Sequence, residues 1–519
     1  MVGTGMGGST VGLALARLGH SVLFLEKGLF PFGGANQGDG CPRPAAEDSP
    51  EARLRRGWWP HPIVGRTDAG RLEIFGTQGC GSGGTSSVYS AQLERLNPTD
   101  FAPRANYPDV PGTTLPEAWP ITYENLLPYY REAEALYRVR GTDDPLNPDP
   151  GNPLLEPPPM SERDHALFDS LGQLGLHPYR SHVGFEFVEG CQECGGVLCP
   201  RDCKNDASKI CLMPALRQHG ARILDQCEVL RLESSGRTVK KVHCHWRGQT
   251  LALSAKVVIL AAGAFSTPRL LLGSSSDAYP DGLANSSRLV GRNLMFHTGD
   301  FLAIHQRGTA LKEGPKKSIA LNDFYVADGK KLGTVQSVGL DVSRGSVLYH
   351  MQSVTKMAPH WWQPLTSPFL RLAARAKAAH FRDSVVLATI VEDLPYHENR
   401  VILDRSAKSG FRFEYHYTGE LFERNELMRR LIQRALAGRH PIAALNTLKF
   451  LNYAHVCGTC RFGVDPTESV LNANNRAHDV DNLYVVDASF FPSSSGMNPS
   501  LTIAANALRV SKAIHQQLG

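Results

Sequence analysis

The sequence has no apolar run long enough to cross a bilayer. The longest, near Val257 to Phe265, is about half of the 20 residues a spanning helix needs. It has no basic tail. Its 55 basic and 50 acidic residues leave a net charge of only +5, a balance too even to imply nucleic acid. The first residues are glycine-rich, not basic and then apolar, so no secretory signal is visible and a soluble cytoplasmic protein is expected. Core material is not lacking. Hydrophobic residues make up 42% of the 519-residue chain, which excludes disorder for most of it and allows several small domains or two that share a core.

What is present starts at the first turn. Gly3-Thr4-Gly5-Met6-Gly7-Gly8 fits the G-x-G-x-x-G pattern, with Gly3 for a tight turn, Gly5 for backbone approach to a pyrophosphate and Gly8 for close helix–strand packing. A helix-compatible stretch follows from Ser9 to Leu18, Gly19 ends it, and Ser21 to Leu25 reads as a buried strand closing on Glu26. A carboxylate there can accept hydrogen bonds from a ribose. The pattern also requires a strand before its first glycine, and only Met1-Val2 stand there. The expectation is that about five apolar residues belong upstream.

Further along, residues 27 to 75 read mostly as loop. Gly79 to Ser87 is a second Gly/Ser run, whose backbone can lie close to a flat ligand because nothing in it has bulk. Tyr123 to Val139 has helical spacing. Ala221 to Leu224 and Cys227 to Leu232 read as strands. Lys256 to Ala264 is a buried strand meeting a small-residue turn at Gly263, and Ser266-Thr267-Pro268 starts a helix. Ser384 to Ile390 is strand-like, and Glu392 to Asp404 reads as a polar hairpin in which Glu392 is a solvated carboxylate or, as the sharper reading, an auxiliary base. His360-Trp361-Trp362 with Phe369 to Arg375 is basic and amphipathic, a surface helix or a docking face for a membrane or partner.

The eleven cysteines are uneven: Cys191, Cys194, Cys199, Cys203 and Cys211 fall within 21 residues, and Cys457 and Cys460 flank Gly458-Thr459. In a cytosolic chain such spacing favours metal, redox or buried thiols over structural disulfides. Near the C-terminus, His455 and Asn498 lie 43 positions apart, each beside glycines and turn formers that can seat it against a bound ring.

The glycine loop with Glu26, the segment Gly263 to Leu272, and the stretch from His455 to Thr502 together resemble the glucose–methanol–choline (GMC) oxidoreductases. Trp119 to Leu126 and Gly291 to His297 look like family segments too. The resemblance implies an α/β fold, α+β overall: a Rossmann-like FAD-binding domain from discontinuous segments (1–95, 186–298 and 452–519) and an antiparallel-sheet substrate domain (96–185 and 299–451). It implies His455 as the catalytic histidine and Asn498 as its partner. Asp487 and Ala488 then lie near the flavin phosphate and ribityl chain, Val229 offers a backbone contact to adenine, and Gly83, Gly84, Thr85 and Ser86 lie beside the isoalloxazine. Gly263 and Met497 complete the cofactor contacts. The loop has no histidine for covalent attachment, so FAD is expected to be noncovalent. Val456 and Phe462 stand where the family often has Pro and Met. The spacing of Cys194, Cys199 and Cys203, with Pro200, resembles the iron–sulfur segment of the family's multi-subunit sugar dehydrogenases; zinc, disulfides or free thiols remain open.

The function implied is oxidation of a CH–OH donor (an alcohol, sugar or sterol-like molecule) by hydride transfer to flavin, with a dehydrogenase favoured over an oxidase and an electron-acceptor protein as a partner. An imidazole of ordinary pKa ~6.5 can take the hydroxyl proton at neutral pH, and the asparagine amide can orient the same oxygen. His297 and His478 read as structural. A non-redox hydroxynitrile lyase on the same fold is the alternative, against which the cluster-like cysteines argue.

Overall fold

The computed structural model describes residues 1–31, 49–75, 78–305, 315–339, 384–437 and 451–519, with 369–370, 372–376, 378–379, 440 and 442–445. His360, Trp361 and Trp362 lie outside the described residues. Among those described, no helix is long and apolar enough to cross a membrane.

Short strands build a parallel sheet whose inner members, Val2 and Val258–Leu260, are apolar and buried. Its order is Arg222–Leu224, Leu23–Leu25, the single residue Val2, Val258–Leu260 and Leu483–Val485, all parallel. Val2 thus takes the central position. Its N–H donates to Ile259 O at 2.9 Å, its carbonyl accepts from Ala261 N at 2.8 Å, and Gly3 N donates to Leu25 O at 2.9 Å. The helix Met6–Arg17 follows and packs against the C-terminal helix Ser500–Leu518. A Cβ on Gly8 would stand 2.4 Å from Gly3 O, which is why only glycine allows this helix so close to the preceding loop.

A second unit is a five-stranded antiparallel sheet in the order Ala320–Leu321, Gly333–Ser337, Ser384–Val391, Phe301–His305, Ile442–Leu445. The amphipathic helices Glu162–Gln173 and Gly419–Leu436 cover it, burying Leu167, Leu171, Leu421, Met428 and Ile432 against Leu302, Ile304, Val385 and Leu387. Apolar contact between one helix stripe and one sheet face is the driving force here.

Two elements cut across the segment boundaries expected from sequence. The helix Tyr123–Tyr137 starts with a reciprocal Thr122/Asn125 cap and packs on Ser500–Leu518, so Leu126, Tyr130 and Tyr137 share the core of the parallel-sheet unit. Residues 63–74, expected as loop, form the strands Ile63–Thr67 and Gly70–Ile74, joined in a four-stranded sheet to Arg400–Leu403 and Phe411–Tyr415. That sheet lays Phe411, Phe413 and Tyr415 against Phe265, Phe296 and Val456, so one aromatic cluster ties the two units together.

A buried pair nearby gives a pH-dependent stability. His182 Nδ1 faces Glu94 Oε2 at 3.0 Å, and both residues are buried. Burial alone would depress the imidazole pKa, but the Glu94 carboxylate and the Thr142 carbonyl lift it to about 9. A folded-state pKa above the unfolded value contributes stability that is full below pH ~6.5 and lost as pH rises through the folded value. Thermal unfolding is therefore expected to fall in midpoint between pH 7 and 9. His182→Gln should flatten that slope, removing at most about 3 kcal/mol of pH-dependent stability.

Candidate active site

The two glycine-rich runs meet. A Cβ on Gly84 would stand 2.8 Å from Gly5 Cα, whereas one on Gly5 would meet nothing within 4 Å. That open space belongs to a cavity of about 590 Å³ lined by Gly3, Gly5, Glu26, Gly84, Thr85, Ser86, Val229, Gly263, Asp487, Ala488, His455 and Asn498. Residues from both ends of the chain and from its middle therefore face one space. Of the other sequence-level candidates, Gly8 packs beneath the loop, and Gly83 caps the short helix Gly84–Ser87 at φ 87°. Met497 departs from expectation. It is buried beside Asn498 but lines a smaller cavity with Glu94 and Tyr179.

The cavity's nucleotide end fits a bound pyrophosphate. Helix Met6–Arg17 opens at Gly5 with no side-chain cap and no acid in its first turn. Its first N–H groups and the positive end of its dipole are thus available to an anion. Glu26 is already well occupied: Oε2 accepts from Thr4 N (3.1 Å) and Thr4 Oγ1 (2.6 Å), and Oε1 from Gly28 N (2.9 Å) and Gly81 N (3.1 Å). Thr4 Oγ1 has a second acceptor in Gly81 O at 3.2 Å, so its rotation frees Oε2 for a ribose hydroxyl. Burial raises the Glu26 pKa, against the hydrogen bonds that lower it. Asp487 is likewise saturated, by Gly263 N (3.0 Å), Thr267 Oγ1 (2.5 Å), Ser489 N (2.9 Å) and Ser489 Oγ (2.5 Å). Its carboxylate fixes the turns that wall the cavity. At Val229 the pairing of strands Cys227–Ser235 and Thr238–Trp246 shifts register, which frees backbone at the cavity edge.

The other end is built around two histidines. Strand Met295–His297 pairs antiparallel with Asn452–Cys457, and an irregular register between Asn452 and Cys457 re-aims the intervening residues. His297 Nδ1 and His455 Nδ1 then stand 2.8 Å apart. His297 Nε2 lies 3.2 Å from Ser494 O and 3.0 Å from Ser495 O. Carbonyls only accept, so this nitrogen carries hydrogen. Burial drives the His297 pKa down to about 4, so the ring is neutral near pH 7 and its Nδ1 is bare. The 2.8 Å contact then requires the hydrogen on His455 Nδ1. Burial, and next the His297 ring, hold the His455 pKa well below the usual value, which leaves His455 Nε2 an unprotonated lone pair. The Asn452 amide nitrogen is also 3.1 Å from His455 Nδ1. The Asn452 side-chain oxygen accepts from Ala454 N at 3.2 Å, so rotating the carboxamide by 180° gives Nδ1–H a second acceptor at the expense of that bond. The Asn498 Oδ1 is buried with no partner in the protein, a sign of a polar group reserved for a ligand.

Behind the histidines a buried charge network holds the Ser494–Gly496 loop. Glu392 Oε1 accepts from Ser495 N at 3.1 Å, and its Oε2 meets Lys331 Nζ and Tyr107 OH, each at 2.8 Å. Lys331 also pairs with Asp100, and Tyr325 joins Asp100 (2.7 Å) to Gly496 N (3.0 Å). Glu392 is therefore not a solvated hairpin carboxylate. The hairpin is Arg400–Leu403 with Phe411–Tyr415, and Glu392 is buried before it begins. His297, taken as structural from sequence, is the ring that touches His455. Its segment was legible, but its partner lies 158 residues away. His478 bonds Ser469 Oγ at 2.9 Å, outside the residues lining the cavity. Cys457 and Cys460 are buried and free, with burial raising both thiols well above the usual range, as expected of packed, inert cysteines.

The chain and its fold have counterparts in known proteins. Residues 121–299 and 395–507 match the N-terminal and C-terminal family models described as GMC oxidoreductase. The 2-methyl-1,2-propanediol dehydrogenase of Mycolicibacterium austroafricanum is 30% identical, over 98% of this chain and 93% of that protein. The 6'''-hydroxyparomomycin C oxidase of Streptomyces lividus is 28% identical, over 100% and 91%. Among solved structures, pyridoxine 4-oxidase from Mesorbium loti shares the fold, with a TM-score of 0.66 at 21% identity over 99% of this chain and 98% of that one. The chain belongs to the GMC oxidoreductases, FAD-dependent oxidoreductases acting on CH–OH donors.

Proposed function

We propose that the enzyme binds FAD noncovalently, with the pyrophosphate at the Gly3–Gly8 loop and the ring between Gly84–Ser86 and His455, and oxidises a small alcohol. The FAD supplies the hydride acceptor. The chain supplies the proton chemistry. His455 Nε2 takes the hydroxyl proton, and Asn498 donates its amide N–H to the same oxygen and fixes it. As His455 becomes an imidazolium, its Nδ1–H bond to His297 strengthens, and His297 Nε2–H anchors that ring to the Ser494 and Ser495 carbonyls. The observation that carries this reading is the chain of hydrogen bonds from two carbonyls through two rings, which leaves one bare nitrogen in a cavity shared with an unpartnered carboxamide.

His297 acts here as a positioning residue. His297→Asn is expected to lower kcat by 10–100-fold with little change in KM. The His455 pKa is held below 6.5, so wild-type activity should persist as pH falls through 6.5. Removing the second ring should move the acidic limb of kcat/KM. A loss of stability alone, with unchanged pH profile and kcat, would count against the role.

Anaerobic mixing with a panel of primary alcohols, diols and amino sugars tests the function itself: bleaching of the flavin near 450 nm is the expected result. A lyase would leave the colour unchanged, and no finding favours one. Readmitting oxygen then separates the two redox types. The 2-methyl-1,2-propanediol dehydrogenase relative supports slow reoxidation by oxygen and rapid reoxidation by a carrier, the partner of a dehydrogenase. An iron–sulfur cluster on Cys194, Cys199 and Cys203 would require those sulfurs to move apart, and iron and acid-labile sulfide analysis after anaerobic purification decides it.

A further inference from the structure

The cysteine-rich loop brings four sulfurs into one row. Cys203 Sγ stands 3.2 Å from Cys191 Sγ, to which it donates, and 3.2 Å from Cys199 Sγ. Cys199 in turn hydrogen-bonds Cys194. All four are free thiols; Cys191 and Cys199 are half-exposed, whereas Cys194 and Cys203 are buried. Beside them, the buried Lys204 ammonium donates to Ser87 O (3.2 Å) and Val197 O (2.9 Å). A neighbouring cation favours the thiolate form that reacts. The loop also touches the cofactor cavity, because Gly195 and Gly196, next after Cys194, line it.

This spacing does not suit a metal. A tetrahedral zinc with Zn–S of about 2.3 Å holds its sulfurs about 3.8 Å apart, and an iron–sulfur cluster, whose cysteines ligate different irons, spreads them further. Among the described residues no group of three or more Cys, His, Asp or Glu side chains is arranged to hold a metal ion. A separation of 3.2 Å is instead about 1.2 Å longer than an S–S bond, and shorter than the spacing a shared metal imposes.

We propose that the loop is a thiol–disulfide exchange site, with half-exposed Cys199 as the attacking residue, buried Cys203 as the resolving residue, and a low-molecular-weight disulfide RS–SR as the oxidant. Cys199 attacks as its thiolate. The RS–SR bond breaks, one RS⁻ leaves and is protonated by water, and Cys199 carries a mixed disulfide. Cys203 then gives up its proton to water and attacks the Cys199 sulfur. The second RS⁻ leaves and is protonated in turn. Two cysteine thiols have been oxidised to one disulfide, and RS–SR has been reduced to two RSH.

The test uses the flavin-loaded protein, reduced, freed of reductant under nitrogen and titrated with oxidised glutathione. Free thiols are then alkylated and the protein is mapped by mass spectrometry. The expected result is the loss of two alkylatable thiols and the joining of two tryptic peptides through Cys199 and Cys203, since Arg201 lies between them. Cys457 and Cys460 should stay reduced over the same range. Cys203→Ser should stop at a glutathione adduct on Cys199, and Cys199→Ser should give neither adduct nor bridge. If these variants fail to fold, the wild-type map alone decides. Four thiols alkylatable throughout, a bridge between another pair, or stoichiometric iron or zinc in the protein as purified would each overturn the proposal.

Discussion

His455→Ala is expected to leave a yellow, flavin-loaded protein whose flavin is reduced by substrate at least about 100-fold more slowly. The side chain contributes to the cavity wall but not to the nucleotide end, where Gly5, Glu26 and Val229 lie, so cofactor binding should survive. What is lost is the bare Nε2. With no group to take the hydroxyl proton, the carbinol carbon loses the alkoxide character that expels hydride. His297 cannot replace it, because its bare Nδ1 faces the vacated ring and its other nitrogen is committed to Ser494 and Ser495. Added imidazole should restore part of the rate by entering the space left behind. Stopped-flow absorbance under nitrogen reads both effects, and an unchanged rate of bleaching would remove His455 from the mechanism.

A second large effect is expected at the opposite end of the cavity. Gly5→Glu should fold and yet lose its cofactor. The new side chain has room, because a Cβ there meets no atom within 4 Å. A carboxylate in the first turn also favours the helix dipole. It occupies the anion site with the wrong charge, so FAD affinity should fall by at least about 100-fold, or about 2.7 kcal/mol. The contrast two residues on is sharp. A Cβ on Gly7 would stand 2.0 Å from Val486 O, a backbone clash that no side-chain motion relieves, so Gly7→Ala should cost folded protein before it costs flavin. Equilibrium dialysis for affinity and thermal melts of the flavin-free forms separate the two. Retention of FAD by Gly5→Glu would show that the pyrophosphate lies elsewhere.

These sites were unequally legible before the fold was known. The glycine loop, its helix and Glu26 could be read directly because nucleotide binding there is local: turn, helix start and acid occur within 26 residues. The strands Val258–Leu260 and Ser384–Val391 announced themselves as apolar runs between turn formers. By contrast, residues 63–74 looked like loop because the strand that anchors their hairpin in a sheet, Phe411–Tyr415, lies far along the chain. Glu392 looked solvated because the cation that makes its burial tolerable, Lys331, lies 61 positions earlier. Likewise, the cysteine spacing suggested ligands, but whether sulfurs stand apart around a metal or in contact depends on side-chain placement that spacing does not encode.

By itself the sequence determined which atoms could do the chemistry: an imidazole, a carboxamide, an uncapped helix start and glycines where backbone must lie close. Only the tertiary structure decided which nitrogen of His455 is free. That choice comes from His297 and two carbonyls delivered by other strands and loops, because a neutral imidazole has one hydrogen to place and its neighbours in space, not in sequence, say where.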